Sequence, residues 1–375
     1  MPDFDVLEPA IDPNNRISFL LDWELTMKCN LDCSYCSTGI YGGHDNTTKH
    51  PLLSECLDTV DFMYEYVDIY MRHKPKGLRD VILNVYGGEA LHHPNIGEIL
   101  RTCHDRYQKY KDRWRLTITT TTNNIVNERK FLKIISYIDE FTVSYHTENT
   151  DKQKALFKNN ILAIKNAGKR VKCVVLMHPG SNKFVDAQNM INWCQDNDIK
   201  YLPRQLDHVP VRVEFNYKKQ QSTWLSNLYD EKSYKTSTDI FLKPVGNKVD
   251  LSDSGRACCG GRQVCQNQNY KQRNFFVQNK FPDWYCSVNE FFLYIKQVNG
   301  EIFVNKDCKM NFAGKVAPIG NLRDADTLLE TTKNHFQNKT MPVIQCKKTM
   351  CWCGLCAPKA KNLGPFNSIM EKYRS

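Results

Sequence analysis

The sequence predicts an α/β chain, a partial (β/α)6 TIM-like barrel followed by a small C-terminal β-hairpin and helix domain. Three observations predict it. Between residues 17 and 208, short β-branched runs alternate with longer amphipathic stretches, the mark of repeated βα units on a parallel sheet. From 209 to 280 the pattern gives way to polar, Lys/Gln/Asn-rich sequence that reads as a connector. Beyond it, Val298-Asn299-Gly300 separates two apolar runs, and Asn-Gly favours a tight hairpin because both residues tolerate positive φ. The expected organisation is an N-terminal tail over 1–16, the barrel over 17–208, the connector, and the hairpin domain over 281–375.

Six barrel strands are expected at 18–26, 81–86, 115–121, 140–146, 170–177 and 200–206. Helices are expected at 52–72, 95–110, 128–137, 152–167 and 184–196, with stop signals such as Gly168. The hairpin arms fall at 292–297 and 301–305, and a helix follows at 322–336. Cys56, Cys103, Cys173 and Cys194 lie singly on helix or strand faces and read as core, as do Met177 and Trp193. The pairs His92-His93 and Lys347-Lys348 read as solvated.

Composition narrows the function classes. Of 375 residues, 41% are apolar and 25% charged, which argues against both wholesale disorder and a fibrous chain. The first sixteen residues carry Asp3, Asp5, Glu8 and Asp12 and no basic or apolar signal region. The apolar run 17–25 is too short to span a bilayer and contains Asp22 and Glu24. Sixteen cysteines without a secretory signal point to a reducing, cytoplasmic setting in which thiolates hold metal. The net charge of +10 comes from Lys and Arg interleaved with acids, a solvated surface in the first instance; an anionic nucleotide, sugar or nucleic acid is the partner class it would otherwise suit.

The first strand is followed by Cys29-Asn30-Leu31-Asp32-Cys33-Ser34-Tyr35-Cys36, a C-x3-C-x2-C spacing at the carboxyl end of a strand, where α/β enzymes place chemistry. Four-iron clusters usually take four thiolates. Three in so tight a loop leave one iron open to a small molecule, into which an electron can be directed. A zinc knuckle with a distant fourth ligand, or buried structural thiols, would use the same residues, although zinc sites more often pair C-x2-C units across a gap.

At these residues the chain resembles the radical S-adenosylmethionine (radical SAM) superfamily. Gly87-Gly88-Glu89, one βα unit later, is similar to that family's GGE motif, whose backbone and acidic groups hold the methionine amine of SAM. Residues 119–123, with Thr121 and Asn123, resemble the segment reaching the adenosine, and Asn124 stands where a glycine is usual. Ser144 matches a polar residue that touches the ribose or carboxylate, and Tyr35 the aromatic residue near the adenine. After the third cysteine the family usually has an aromatic, where this chain has Ser37. The resemblance implies a 4Fe-4S cluster on Cys29, Cys33 and Cys36, SAM as co-substrate, and an external electron donor such as flavodoxin or ferredoxin. It further implies reductive cleavage of SAM to a 5′-deoxyadenosyl radical that abstracts a hydrogen from a substrate, to oxidise or modify a peptide or small molecule.

The later cysteines resemble the SPASM and twitch extensions of that superfamily, in which a hairpin and helix hold auxiliary four-iron clusters. Cys286, Cys308, Cys353 and Cys356 fit one auxiliary cluster, although Cys308 comes later after the hairpin glycine than is usual. Cys259 and Cys265, with neighbouring Cys258, and Cys346 and Cys351 leave room for a second, or for structural zinc or free thiols. On the rim with the cysteine loop fall Tyr145, His146, Glu148, His178 and Arg204. His146 and Glu148 are candidates to move a proton or bind a polar group, and Arg204 to clamp a carboxylate or phosphate. The non-enzymatic alternative is a zinc-binding interaction protein in which every cysteine group serves structure.

Overall fold

The computed structural model describes residues 6–7, 18–36, 47–206, 216–230, 282–306, 308, 311, 313, 315–347 and 357–374. After the two-residue strand β1 (Val6–Leu7), six strands alternate with helices. They are β2 (Ser18–Thr26), β3 (Asp80–Gly87), β4 (Arg115–Thr122), β5 (Glu140–Tyr145), β6 (Arg170–Met177) and β7 (Lys200–Gln205). All six pair in parallel, in sequence order, as successive βα crossovers require. The interleaved helices are α1 (Leu53–Arg72), α2 (Ile96–Tyr107), α3 (Glu128–Ile134), α4 (Asp151–Asn166) and α5 (Ser181–Asp196). This is a partial barrel.

Local signals explain the boundaries. Glu55 Oε2 accepts from the Leu52 amide (2.8 Å) at the start of α1. Thr150 and Gln153 form a capping box on α4, and Gly168, at φ +68°, follows its end in a conformation that favours glycine. Strand alternation then sets the layers. Phe19, Leu21, Trp23 and Leu25 join Val81, Leu83, Val85, Phe141, Val143, Cys173 and Val175 in one buried core beneath the helices. The other residues of each strand face the inside of the barrel.

The hairpin is where sequence and structure part. Its arms, β9 (Phe292–Lys296) and β10 (Glu301–Phe303), follow a short strand β8 (Tyr285–Cys286), and Gly300 turns at φ +71° as expected. The hairpin does not stand apart from the barrel. Strand β9 pairs in parallel with β2, from Leu20↔Phe292 to Glu24↔Lys296, and β10 continues to β11 (Gly320–Asn321). The result is a nine-stranded sheet in the order β11-β10-β9-β2-β3-β4-β5-β6-β7. Leu293, Ile295 and Ile302 enter the main core, and the following helix α7 (Ala325–Gln337) packs on α1, Phe336 stacking 4.3 Å from His73. Before it, α6 (Lys219–Asp230) lies within the stretch expected to be irregular, and its Leu225 is buried in the same core. A second, antiparallel sheet joins β1, β13 (Lys359–Ala360), β8 and β12 (Ile344–Gln345), and the last helix is α8 (Leu363–Glu371).

Because Ile302 is fully buried in the barrel's own core, Ile302→Ala is expected to destabilise the protein by about 2–4 kcal/mol. In urea unfolding followed by circular dichroism, one transition should move. Two transitions, with only the smaller one moved, would mean that the hairpin folds independently.

Cys56, Cys103, Cys173, Cys194 and Met177 are fully buried in the core, while Trp193 packs half-buried against it. His93 is a correction. It was expected to be solvated, yet it is buried: its Nδ1 accepts from the Asn95 amide (3.2 Å), and its Nε2 lies 3.1 Å from the Pro51 carbonyl oxygen. His92 beside it is exposed.

Candidate active site

The chain leaves β2 at Thr26 and turns at once into the cysteine loop. Cys29 Sγ is met by the Leu31 amide (3.4 Å) and by Asn123 Nδ2 (3.6 Å). The same Nδ2 donates to Asn30 Oδ1 (2.7 Å), and Asn30 Nδ2 donates to the Ile125 carbonyl (2.8 Å), so the end of β4 grips the start of the loop. The Cys36 amide donates to the Cys33 carbonyl (2.9 Å) and closes a turn. All three thiols are half-exposed.

Their electrostatics bear on whether a cluster fits. Burial pushes Cys29 up to about 11, with Glu89 and Cys36 adding to the rise. Burial pushes Cys33 up to about 12, and the neighbouring Cys36, Cys29 and Glu148 add to it. The thiols are thus close enough to oppose one another's ionisation, and a cationic centre is what would make them thiolates together. Among the described residues no three His, Cys, Asp or Glu side chains gather as a ready site for a metal ion. Three thiols on one loop are the donor set that a four-iron cluster takes, one thiolate to each of three irons.

Gly87 and Gly88 pass directly against this loop. A Cβ on Gly87, whose φ is +154°, would lie 2.0 Å from the Thr26 carbonyl oxygen; one on Gly88 would lie 2.4 Å from that of Met27 and 2.5 Å from that of Lys28. The Gly88 and Glu89 amides donate to the Thr26 and Lys28 carbonyls, both at 2.7 Å. The glycines are therefore required by backbone meeting backbone, where the sequence suggested close approach to a ligand. The Glu89 carboxylate is buried and engaged: Oε1 accepts from the Leu91 amide (3.0 Å) and the Thr122 hydroxyl (2.7 Å), and Oε2 from the Asn123 amide (2.6 Å). It ties the ends of β3 and β4 together beneath Cys29. Asn124, in the usual glycine position, has φ +57°, a conformation that asparagine tolerates better than other side chains do.

Burial raises the Glu89 carboxyl from its ordinary 4.5 to about 7, against the pull of its three donors. The folded state then keeps a proton that the unfolded chain releases. This stabilisation is full below about pH 4.5 and is lost as pH rises through about 7. Urea unfolding at a series of pH values is expected to show the wild type, relative to Glu89→Gln, losing on the order of 3 kcal/mol between pH 4.5 and 8. A pH-independent difference would mean that the carboxyl titrates normally.

On the far side of the loop, Tyr35 stacks on His146, with centroids 5.8 Å apart and rings 4° from parallel. His146 Nδ1 lies 2.8 Å from Tyr35 Oη and 3.3 Å from Cys33 Sγ. Burial holds His146 down at about 4, so its ring is neutral near pH 7. The Ser34 amide and hydroxyl both donate to Glu148 (2.8 and 2.7 Å), and Lys183 donates to Glu148 Oε1 (2.6 Å). Burial works against the Glu148 charge, but Lys183 and Ser34 outweigh it and keep the carboxyl below its ordinary range. His178 lies beside the pair, its Nε2 3.9 Å from Glu148 Oε1. Tyr145 is a correction: strand alternation turns it outward, where its hydroxyl donates to Asp186 on α5 (3.1 Å).

Thr121, Ser144 and Arg204 are half-buried on the inward-facing alternation of β4, β5 and β7, and Tyr35 packs near Val174, Leu176 and Leu202 on the same lining. A polar network that no sequence motif marks lies deeper on this face. Asn84 donates to Asp22 (2.8 Å), Thr119 donates to Asn84 (3.3 Å), and Tyr294, brought in by the hairpin, donates to Glu24 (2.8 Å). Two acids at inward positions of the first strand were the available signal. Lys183 gave none, because nothing in its neighbourhood is unusual for a helix start.

Of the later cysteines, Cys286, Cys308 and Cys346 are buried and free of disulfides. Strands β8 and β12 pair Cys286 with Ile344, and the Cys346 amide donates to the Trp284 carbonyl (2.9 Å). Two residues past Ile344, Cys346 falls on the same sheet face as Cys286. Cys258, Cys259, Cys265, Cys351, Cys353 and Cys356 lie outside the described residues.

Among solved structures the chain is similar to native anSMEcpe with bound AdoMet and Cp18Cys peptide, at 15% identity over 86% of this chain and 82% of that one, with a TM-score of 0.48. Native anSMEcpe with bound AdoMet matches at 15% identity over 84% and 82%, with a TM-score of 0.49. Methylornithine synthase (PylB) matches at 15% over 60% and 64%, with a TM-score of 0.35. No protein-family model and no curated protein matches the chain. No described helix is long and apolar enough to cross a membrane.

Proposed function

We propose that this protein is a radical SAM enzyme that abstracts a hydrogen from a peptide or small-molecule substrate, oxidising or otherwise modifying it. The observation that carries the reading is the C-x3-C-x2-C loop at the carboxyl end of β2, its three thiols half-exposed, braced from below by the Gly87-Gly88-Glu89 turn. Cys29, Cys33 and Cys36 would hold a 4Fe-4S cluster. When bound, that cluster supplies one electron for cleavage of SAM to methionine and a 5′-deoxyadenosyl radical.

The chain's own residues supply orientation and exclusion of water. Asn123 and Asn30 fix the Cys29 end of the loop. With the Glu89 carboxylate engaged by its own chain, the SAM methionine falls to the backbone of the Gly87-Gly88-Glu89 turn, and Tyr35, Thr121 and Ser144 line the space left for the adenosine. Val174, Leu176 and Leu202 form the apolar lining that keeps water from a reactive intermediate. The inward acids Asp22 and Glu24 and the hydroxyl of Tyr294 favour a polar substrate. The buried Cys286 and Cys308 would serve an auxiliary cluster together with Cys353 and Cys356, and Cys259, Cys265, Cys346 and Cys351 would serve a second. Electrons would come from flavodoxin or ferredoxin in the cytoplasm.

Iron and sulfide analysis after anaerobic reconstitution, with low-temperature EPR of the dithionite-reduced protein, tests the reading. About eight or more irons with matching sulfide, and an EPR signal that changes when SAM is added, are expected. Zinc without sulfide would instead support the structural-metal protein.

A further inference from the structure

Resting on the reading of the loop as a cluster site, we propose that Glu148 and Lys183 are a positioning pair, which fixes the Cys33 end of the loop and governs how firmly the cluster is held. Neither residue lies in a recognised motif. Glu148 sits three residues past β5, and Lys183 lies in the first turn of α5. Ser34, between Cys33 and Cys36, commits both of its donors to this one carboxylate: the amide reaches Oε2 at 2.8 Å, and the hydroxyl reaches Oε1 at 2.7 Å. Lys183 Nζ also donates to Oε1, at 2.6 Å. His178 stands behind the lysine, its Nε2 3.5 Å from Nζ and its Nδ1 accepting from the Gly180 amide at 3.0 Å. The ends of β5 and β6 and the start of α5 thus converge on one serine of the cysteine loop.

Two parallel contacts to a charged carboxylate fix orientation as well as distance. They set where the Ser34 backbone lies, and so where its neighbour Cys33 points. The pair adds little to global stability, because the side chains are 18% and 39% exposed and solvent screens them. Its work is local. Asn123 and Asn30 grip the Cys29 end, and Glu148 grips the other. With its oxygens engaged by Ser34 and Lys183, Glu148 is a brace and not the proton carrier its place on the rim suggested.

The test uses the full chain, reconstituted anaerobically, and measures the rate of iron loss to an excess iron(II) chelator, the EPR spectrum of the reduced protein, and the melting temperature. The irons of the loop are identified by subtracting the behaviour of the Cys29→Ala, Cys33→Ala, Cys36→Ala triple variant. Glu148→Ala and Lys183→Met are expected to release the loop's irons about ten- to a hundredfold faster, with an altered EPR spectrum and little change in melting temperature. Lys183→Arg, which keeps the cation, should return close to the wild-type rate. Ser34→Ala removes one donor and no charge; it should speed release by less than Glu148→Ala, and it reports on the contact if that variant fails to fold. Wild-type release rates and spectra in both Lys183→Met and Ser34→Ala would overturn the proposal while leaving the cluster in place. A wild-type protein that takes up no iron-sulfur cluster would overturn the proposal and the functional reading together.

Discussion

Replacing Cys29, Cys33 and Cys36 together by alanine is expected to remove about four irons per chain and all cleavage of SAM, while the fold survives. The loop has holds other than its thiols. Asn30 and Asn123 hold one end, Ser34 and Glu148 the other, and the backbone of Thr26 and Lys28 is bonded to Gly88 and Glu89. All three thiols are half-exposed, and burial makes Cys29 and Cys33 resist ionisation, so the loss of those two removes no stabilising charge. Unfolding free energy of the metal-free protein should change by only about 1–2 kcal/mol. Iron analysis with a chemical-denaturation curve checks both halves, and a variant that retained all its iron would move the chemistry to the carboxyl-terminal cysteines.

The second large effect is expected at Gly88. Its added Cβ would press on the carbonyl oxygens of Met27 and Lys28 and, at 2.7 Å, on the Lys28 carbonyl carbon; every one is backbone, with no flexible side chain to move aside. The strand end or the loop must shift. Gly88→Ala is expected to destabilise the protein by about 3 kcal/mol, the upper end of the usual range for a point substitution, and to displace Cys29 enough to impair iron uptake. Gly77→Ala is the control: nothing lies within 4 Å of its added Cβ, and its stability should stay within about 0.5 kcal/mol of wild type. Equal stability of the two variants would show that the turn and the loop are not packed as described.

Much of this was legible in the sequence. The strands at 18–26 and 170–177 were legible to the residue, because each is a short, largely apolar run set off by polar sequence and helical stretches. The place of the hairpin was not, since hydrophobic period identifies a strand's buried face and not its neighbour; only the fold could put β9 beside β2 and Tyr294 against Glu24. Helix α6 was hidden in the same way, its few apolar residues diluted by Lys and Gln.

At the site, cysteine spacing is local and therefore readable, and the Gly87-Gly88 pair is legible as a place where backbone must approach closely, here the backbone of the cysteine loop. The Ser34–Glu148–Lys183 contact joins residues more than a hundred positions apart, through side chains of ordinary type, and no local pattern encodes it. Asn124 shows the reverse case: it looked like a departure from the family's glycine, and its positive φ explains why asparagine serves there.

The most direct test of the account is 5′-deoxyadenosine formation by the anaerobically reconstituted wild-type protein, given SAM and dithionite and analysed by liquid chromatography. 5′-Deoxyadenosine with an equal amount of methionine is expected from the wild type, and neither from the triple cysteine variant. A fully iron-loaded wild type that leaves SAM intact, or a triple variant that cleaves it as well as wild type, would contradict the assignment of this loop as the radical-generating site.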